Sequence, residues 1–160
     1  MLADAWLLQL SGLLDCSTQS PLPDYYLSKI WTELMGSGVL AAEVLDGPST
    51  IRAYAHCAAN DVRDLIVLLL NLDDAPLDVA VIAGRQTTTA QSRTEWHFTA
   101  GPGGLGGAGV QLAGTELAWV PGQPLPLMPG VTKDASAPVH MEQQSIVFVR
   151  LHGSASAGLC

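Results

Sequence analysis

Apolar residues recur every three to four positions between Pro23 and Gly36. Tyr26, Ile30 and Leu34 form one i, i+4 row and Leu27, Trp31 and Met35 the adjacent one, while Ser28, Lys29, Thr32 and Glu33 fall on the other side. The pattern predicts an amphipathic helix over about 24–36, with Asp24 as N-cap and Gly36 as the terminating glycine. Beyond Gly38 the chain changes to short strands separated by turn residues. Strands are expected at Val39–Leu45, Thr50–Ala58, Asp64–Leu72, Leu77–Ala83, Thr94–Thr99, Val110–Leu112, Thr115–Val120 and Ser145–Leu151. In "IRAYAHC", Ile51, Ala53, Ala55 and Cys57 alternate with Arg52, Tyr54 and His56, which marks a strand with one wetter face. "DLIVLLLNL" does not alternate, so it reads as a central strand covered on both faces. Short strands at close spacing without intervening helices indicate a mainly β fold, an antiparallel β-sandwich preceded by one amphipathic helix. The Gly/Pro-rich stretches Ala100–Gly109 and Pro121–Pro138 read as long loops.

Composition narrows the classes. A chain of 160 residues with 48% hydrophobic and 14% charged content supports one core-bearing domain, or one domain and a fragment of another. Net charge is -8, and the seven basic residues (Lys29, Arg52, Arg63, Arg85, Arg93, Lys133, Arg150) are scattered singly. That distribution offers no basic patch for nucleic acid. The longest apolar run, Leu65 to Leu70, falls far short of the roughly 20 residues of a membrane helix. The opening "MLADAWLLQLSGLLDC" carries Asp4 and no positive n-region, so it reads as part of a folded protein cut off at that point rather than as a secretion signal.

Few residues carry a chemical signal. "GPGGLG" (Gly101–Gly106) matches G-x-G-x-x-G after an expected strand, but Pro102 and the following "GAGVQLAG" offer no helix N-terminus for a phosphate, so a flexible turn accounts for it better. His56, His97, His140 and His152 share no metal-ligand spacing; each reads as structural, and neither metal nor other cofactor is expected. Ser/His/Asp combinations lack a G-x-S-x-G elbow. Most of the fifteen carboxylates, such as Asp46, Asp73 and Asp74, sit at turns or on wet faces. None stands out as a general acid with a partner base.

Five ordered blocks resemble one family, the heparanase-like glycosidases of glycoside hydrolase family 79. "PDYYLSKIWTELMGSGVL" resembles its D-Y-[YW]…L-[MV]-G…V-L segment, and "IRAYAHC" with "DLIVLLLNL" its R-x-Y-x-H-C strand and the next one. "GPGGLGGAGVQLAG" is similar to its G-P-x-G-L…V-x-L-N-G loop, and "PLPLMP" and "SIVFVRL" to its final loop and strand. The match runs from about Gly12 to Cys160. The resemblance implies a (β/α)8 barrel joined to a C-terminal β-sandwich. Residues 1–37 would be the end of the barrel, with its last helix at about 24–36, and residues 38–160 the sandwich. A barrel takes roughly 200 residues or more, so the helix is expected to lack its barrel here. Both catalytic carboxyls of the family lie upstream of the matched region, and no catalytic residue is carried over. Where the family has G-N-Y at the sugar site, this chain has Gln9, Leu10 and Ser11.

What the resemblance implies for function is a non-catalytic accessory domain. Its parent class hydrolyses β-glucuronide O-glycosyl bonds in polysaccharides or proteoglycans, with the catalytic barrel and a glucuronide-containing glycan as partners. The alternative is a stand-alone carbohydrate- or protein-binding module, which a row of exposed aromatic side chains would favour. The resemblance also implies a Cys57–Cys160 disulfide, leaving Cys16 outside the pair. It implies an extracellular, lysosomal/vacuolar or membrane-associated setting.

Overall fold

The computed structural model describes residues 12–83, 90–154 and 160. The opening segment, including Gln9, Leu10 and Ser11, and Arg85 lie outside the described residues. Among the described residues the fold is mainly β, with two antiparallel sheets and one α-helix, α1 (Pro23–Leu34). Ten strands follow: β1 (Met35–Leu40), β2 (Ile51–Ala58), β3 (Leu65–Asn71), β4 (Leu77–Val79), β5 (Ser92–Ala100), β6 (Val110–Leu112), β7 (Thr115–Glu116), β8 (Val131–Asp134), β9 (Val139–Met141) and β10 (Ser145–Leu151).

The large sheet is ordered β1-β2-β3-β10-β5-β6-β7, with β8 pairing the start of β5 and β6 its end; β4 and β9 form the small sheet. Register across the large sheet places three rows on one face. The middle row is Tyr54, Leu68, Phe148 and Trp96, and one neighbouring row is Arg52, Leu70, Ile146, Phe98 and Leu112. Leu68, Phe148, Trp96, Leu70, Ile146, Phe98 and Leu112 of these rows form a core with Tyr26, Ile30 and Leu34 of α1, so the helix covers this part of the face, while Arg52 and Tyr54 stay exposed. The other face carries Leu65, Leu69, Val147, Val149 and Leu151, which pack with Val139, Met141, Leu77 and Val79 of the small sheet. β3 and β10 are therefore covered on both sides, as the unbroken apolar run of β3 requires.

Several local expectations change. Leu22 is the N-cap, extended and without a side-chain bond, and Pro23 opens the helix; Asp24 sits in the first turn, where its charge suits the helix N-terminus. The helix ends at Leu34 and passes directly into β1 without a left-handed glycine. Gly36 is needed for a different reason. A Cβ there would stand 2.7 Å from the Cys57 carbonyl oxygen, so only glycine lets β1 lie this close to β2. Each of the eight expected strands overlaps an observed one, although β1 shares only Val39 and Leu40 with the expected Val39–Leu45, and β4 and β7 stop early at Val79 and Glu116. The stretch Pro121–Pro138, expected as loop, contains β8, and β9 follows it.

Candidate functional site

The third row on the helix-covered face is His56, Ile66, Arg150, Thr94 and Thr132. Here the apolar surface gives way to a polar end. Asp64, just before β3, is 5% exposed. Its Oδ1 accepts the Gly153 N–H (2.8 Å), and its Oδ2 accepts Arg150 Nε–H (2.6 Å) and meets His152 Nδ1 (3.2 Å). His152 Nε2 lies 2.8 Å from Thr94 Oγ1. Burial alone would raise the Asp64 pKa. The Gly153 amide, Arg150 and His152 outweigh it and hold the carboxyl below its ordinary value. Asp61, Arg63, Gln91 and Ser92 complete the wall of a cleft of about 510 Å³.

Thr94, His152 and Asp64 stand in the order hydroxyl, imidazole, carboxylate. The order matches a hydrolase triad, but the chemistry does not follow. Arg150 already neutralises the carboxylate that would have to stabilise an imidazolium. A Cβ on Gly130 would collide with the Thr94 methyl and the Trp96 ring, so β8's approach packs Thr94 from that side. The network anchors the ends of β3 and β10.

A second buried carboxylate, Glu95, lies on the opposite face of the same sheet. Arg93 and Glu95 are each 3% exposed; they form an ion pair, and Glu95 also meets His97 Nε2 at 2.7 Å. Arg93 donates onward to the carbonyls of Ala137 and Pro138, tying down the β8–β9 connection. Burial acts to raise Glu95, and the bonds from His97 and Arg93 reverse it, leaving its pKa lowered. Both buried carboxyls are thus held as carboxylates, and the sheet separates them. Neither is poised to give up a proton, and they cannot act as a pair across one glycosidic bond.

The four histidines are dispersed. His56 Nδ1 meets the Gly36 carbonyl, His140 sits exposed between Asp78 and Glu142, and His97 and His152 belong to the two networks above. Among the described residues, no three His, Cys, Asp or Glu side chains converge as a metal site requires. The "GPGGLG" stretch forms one short 3₁₀ turn, Gly104–Gly106, with Gly103 and Gly104 at positive φ. Cys57 and Cys160 form a disulfide with Cα atoms 5.6 Å apart.

The outer row of α1 behaves differently from the inner one. Tyr26, Ile30 and Leu34 are buried, but Trp31 is 37% exposed and Leu27 half-buried. Met35 is buried because it begins β1. Trp31 meets His56 edge to face at 5.3 Å, and exposed Tyr54 lies next to His56 on the same face of β2. Trp96 is buried, its Nε1–H donating to the Met128 carbonyl, and Trp119 donates to Gln123. Reading the sequence alone missed Asp64 and Glu95 as buried groups. The available signal was their placement: Asp64 opens an apolar strand and Glu95 alternates with charged residues two apart, Arg93 and His97.

No family model matches the chain. It is 32% identical over 150 residues to baicalin-beta-D-glucuronidase of Scutellaria baicalensis, a match covering 93% of this chain and 28% of that protein. With heparanase-like protein 3 of Arabidopsis thaliana it shares 31% identity over 163 residues, covering 88% of this chain and 30% of the relative. The chain therefore spans less than a third of the length of these relatives. Among solved structures, a family 30 subfamily 8 xylanase, Xyn30A of Clostridium acetobutylicum, superposes over 89% of this chain and 31% of its own with a TM-score of 0.52. At 10% identity that likeness concerns the fold alone. With matches to several heparanase-like proteins spread over most of its length, the chain belongs to the heparanase-like proteins of glycoside hydrolase family 79, as a C-terminal region of that family.

Proposed function

We propose that this chain is the accessory β-sandwich of a heparanase-like glycoside hydrolase, with residues 38–160 as the sandwich and residues 1–37 as the edge of a (β/α)8 catalytic barrel. The parent enzyme would cleave β-glucuronide linkages in a glycan, at carboxyls contributed from outside this chain. Its setting would be extracellular, lysosomal/vacuolar or membrane-associated; among the described residues no helix is long and apolar enough to cross a membrane. The observation that carries the reading is the disposition of the two buried carboxylates. Asp64 and Glu95 lie on opposite faces of one sheet and each is tied to an arginine, so these two cannot serve as acid and nucleophile facing a common substrate. The outer row of α1, with Trp31 exposed and Leu27 already partly packed on the sheet core, would offer an edge for the barrel.

The purified chain is expected to show no turnover of an aryl β-glucuronide above a buffer blank. Turnover that disappears in Asp64→Asn or Glu95→Gln, with the fold intact, would overturn the reading. A stand-alone carbohydrate- or protein-binding module is the second reading, and the exposed Tyr54 and Trp31, with half-buried His56 between them, are the observation in its favour.

A further inference from the structure

The accessory-domain reading makes no use of the cleft at the polar end of the sheet. Its hydrogen-bonding groups divide sharply into satisfied and unsatisfied ones. Asp64 is fully engaged by the Gly153 amide, Arg150 and His152, and His152 is engaged at both nitrogens. Arg150 is held through Nε alone. Among the described residues, its two terminal nitrogens make no hydrogen bond, and its side chain, 24% exposed, lines the cleft. The Ser92 hydroxyl and the Gln91 amide line the same space and likewise have no side-chain partner among the described residues.

An arginine pinned at Nε by a buried carboxylate presents the remaining pair of nitrogens as a fixed planar fork. Such a fork matches a carboxylate or phosphate with two parallel bonds. Because Asp64 has already ordered the long side chain, less entropy is lost on binding. Local charge selects between the two anions. The wall holds two guanidinium groups, Arg63 and Arg150, and two carboxylates, Asp61 and Asp64; Arg63 is itself engaged with Asp61. A phosphate dianion would meet a neutral wall within a chain of net charge -8. A single negative charge delocalised over two oxygens suits one free fork better. Ser92 and Gln91 then offer partners for hydroxyl groups near that carboxylate. A cleft of about 510 Å³ is within the usual size of small-molecule sites.

We propose that this cleft binds a hydroxylated carboxylate of the sugar-acid class, with Arg150 receiving the carboxylate, Ser92 and Gln91 the hydroxyls, and Asp64 acting as the positioning residue for Arg150. The proposal stands apart from the glycosidase reading, because the cleft would bind without cleaving. The test is a titration of the isotopically labelled 160-residue chain with sodium D-glucuronate at fixed ionic strength, following the backbone amide signals of Gly153 and Ser92. Acetate, glucose and inorganic phosphate serve as comparison ligands. Saturable shifts are expected with glucuronate, none with glucose, and binding of acetate and phosphate weaker by at least about tenfold. Arg150→Lys, which keeps the charge and loses the fork, should weaken glucuronate by at least about tenfold. Ser92→Ala should weaken it less while preserving the spectrum, and it keeps the test open if Arg150→Lys does not fold. No saturable shift with glucuronate, phosphate binding as tightly, or unchanged binding in folded Arg150→Lys overturns the site. Acetate binding as tightly as glucuronate overturns the recognition of hydroxyls.

Discussion

Substitutions at Ile30 and Trp31 separate the two apolar rows of α1. Ile30 is 2% exposed and belongs to the core that Leu68, Phe148 and Phe98 form on the sheet. Truncation to alanine removes three carbon atoms, each worth about 0.8 kcal/mol of transfer. The cavity left behind brings the cost to about 2–5 kcal/mol. Against a typical stability of about 5–15 kcal/mol that is a large share. At roughly 2–4 °C per kcal/mol for a chain of this size, melting should fall by at least about 5 °C. Trp31 is 37% exposed and its main fixed contact is the His56 ring at 5.3 Å. An aromatic contact of this kind contributes about 0.5–1.5 kcal/mol beyond the burial of its area, and no closed cavity is left at a position open to solvent, so Trp31→Ser should lower the melt by less than Ile30→Ala. Its larger effect should be on association, because it removes the largest exposed group of the proposed docking edge. Circular dichroism melts read the first quantity; light scattering and hydrophobic-dye binding read the second. The parent chain is expected to associate and bind dye, Trp31→Ser to reduce both, and Ile30→Ala to lower the melt without curing association. If Trp31→Ser destabilises as much as Ile30→Ala, or the parent chain is monomeric and dye-silent, the outer row has a complete home within this chain and the docking edge is refuted.

Acid should weaken the fold through its two buried carboxylates. Both Asp64 and Glu95 have lowered pKa values, so the stability they contribute is complete above about pH 5 and is lost progressively as pH falls through about 4 and below. Urea midpoints measured from pH 6 to pH 2 should drop steeply below about pH 4, and Asp64→Asn should flatten that limb while lowering the plateau by about 3–5 kcal/mol; a parallel acid limb in the variant contradicts the assignment. Reduction of Cys57–Cys160, which closes a loop of sequence separation 103, should cost about 4–5 kcal/mol by the chain-entropy argument. Dithiothreitol should therefore lower the urea midpoint of the parent chain but leave a Cys57→Ser, Cys160→Ser variant unmoved, and an equal response in both would count against it. With net charge -8 and dispersed basic residues, the chain should pass through heparin resin at physiological salt; retention until about 0.3 M salt, where screening is already strong, would contradict this.

The strands were legible wherever one physical requirement governed each residue. Ile51 to Cys57 alternate because β2 has one wetter face, and Leu65 to Leu70 do not because β3 is covered on both. Glycine was legible as to presence but not as to cause. Gly36 sits where a helix cap belongs, yet what demands it is the Cys57 carbonyl, twenty-one residues away in the chain and 2.7 Å from its missing Cβ. β8 and β9 escaped because Val131–Asp134 is exposed throughout and Val139–Met141 is only three residues long, so neither leaves a periodic apolar signature. Charge misled in β5. Arg93, Glu95 and His97 alternate with Thr94, Trp96 and Phe98 as a wet face would, but Arg93 and Glu95 are buried because they satisfy each other and the carbonyls of Ala137 and Pro138.

The cleft was illegible for a related reason: its members are far apart in the chain and become neighbours only through register. Asp64 and Arg150 are 86 positions apart, and Thr94 and His152 are 58 apart. β10 sets their meeting. Ile146 and Phe148 point to the helix core, and Val147, Val149 and Leu151 to the small sheet, so both faces of this strand are specified by burial. A slip of one residue would exchange the two sets and turn Arg150 away from Asp64. The same apolar residues that close the two cores therefore aim the Arg150 fork into the cleft. A change that shifts β10 should abolish carboxylate binding without touching any residue of the site.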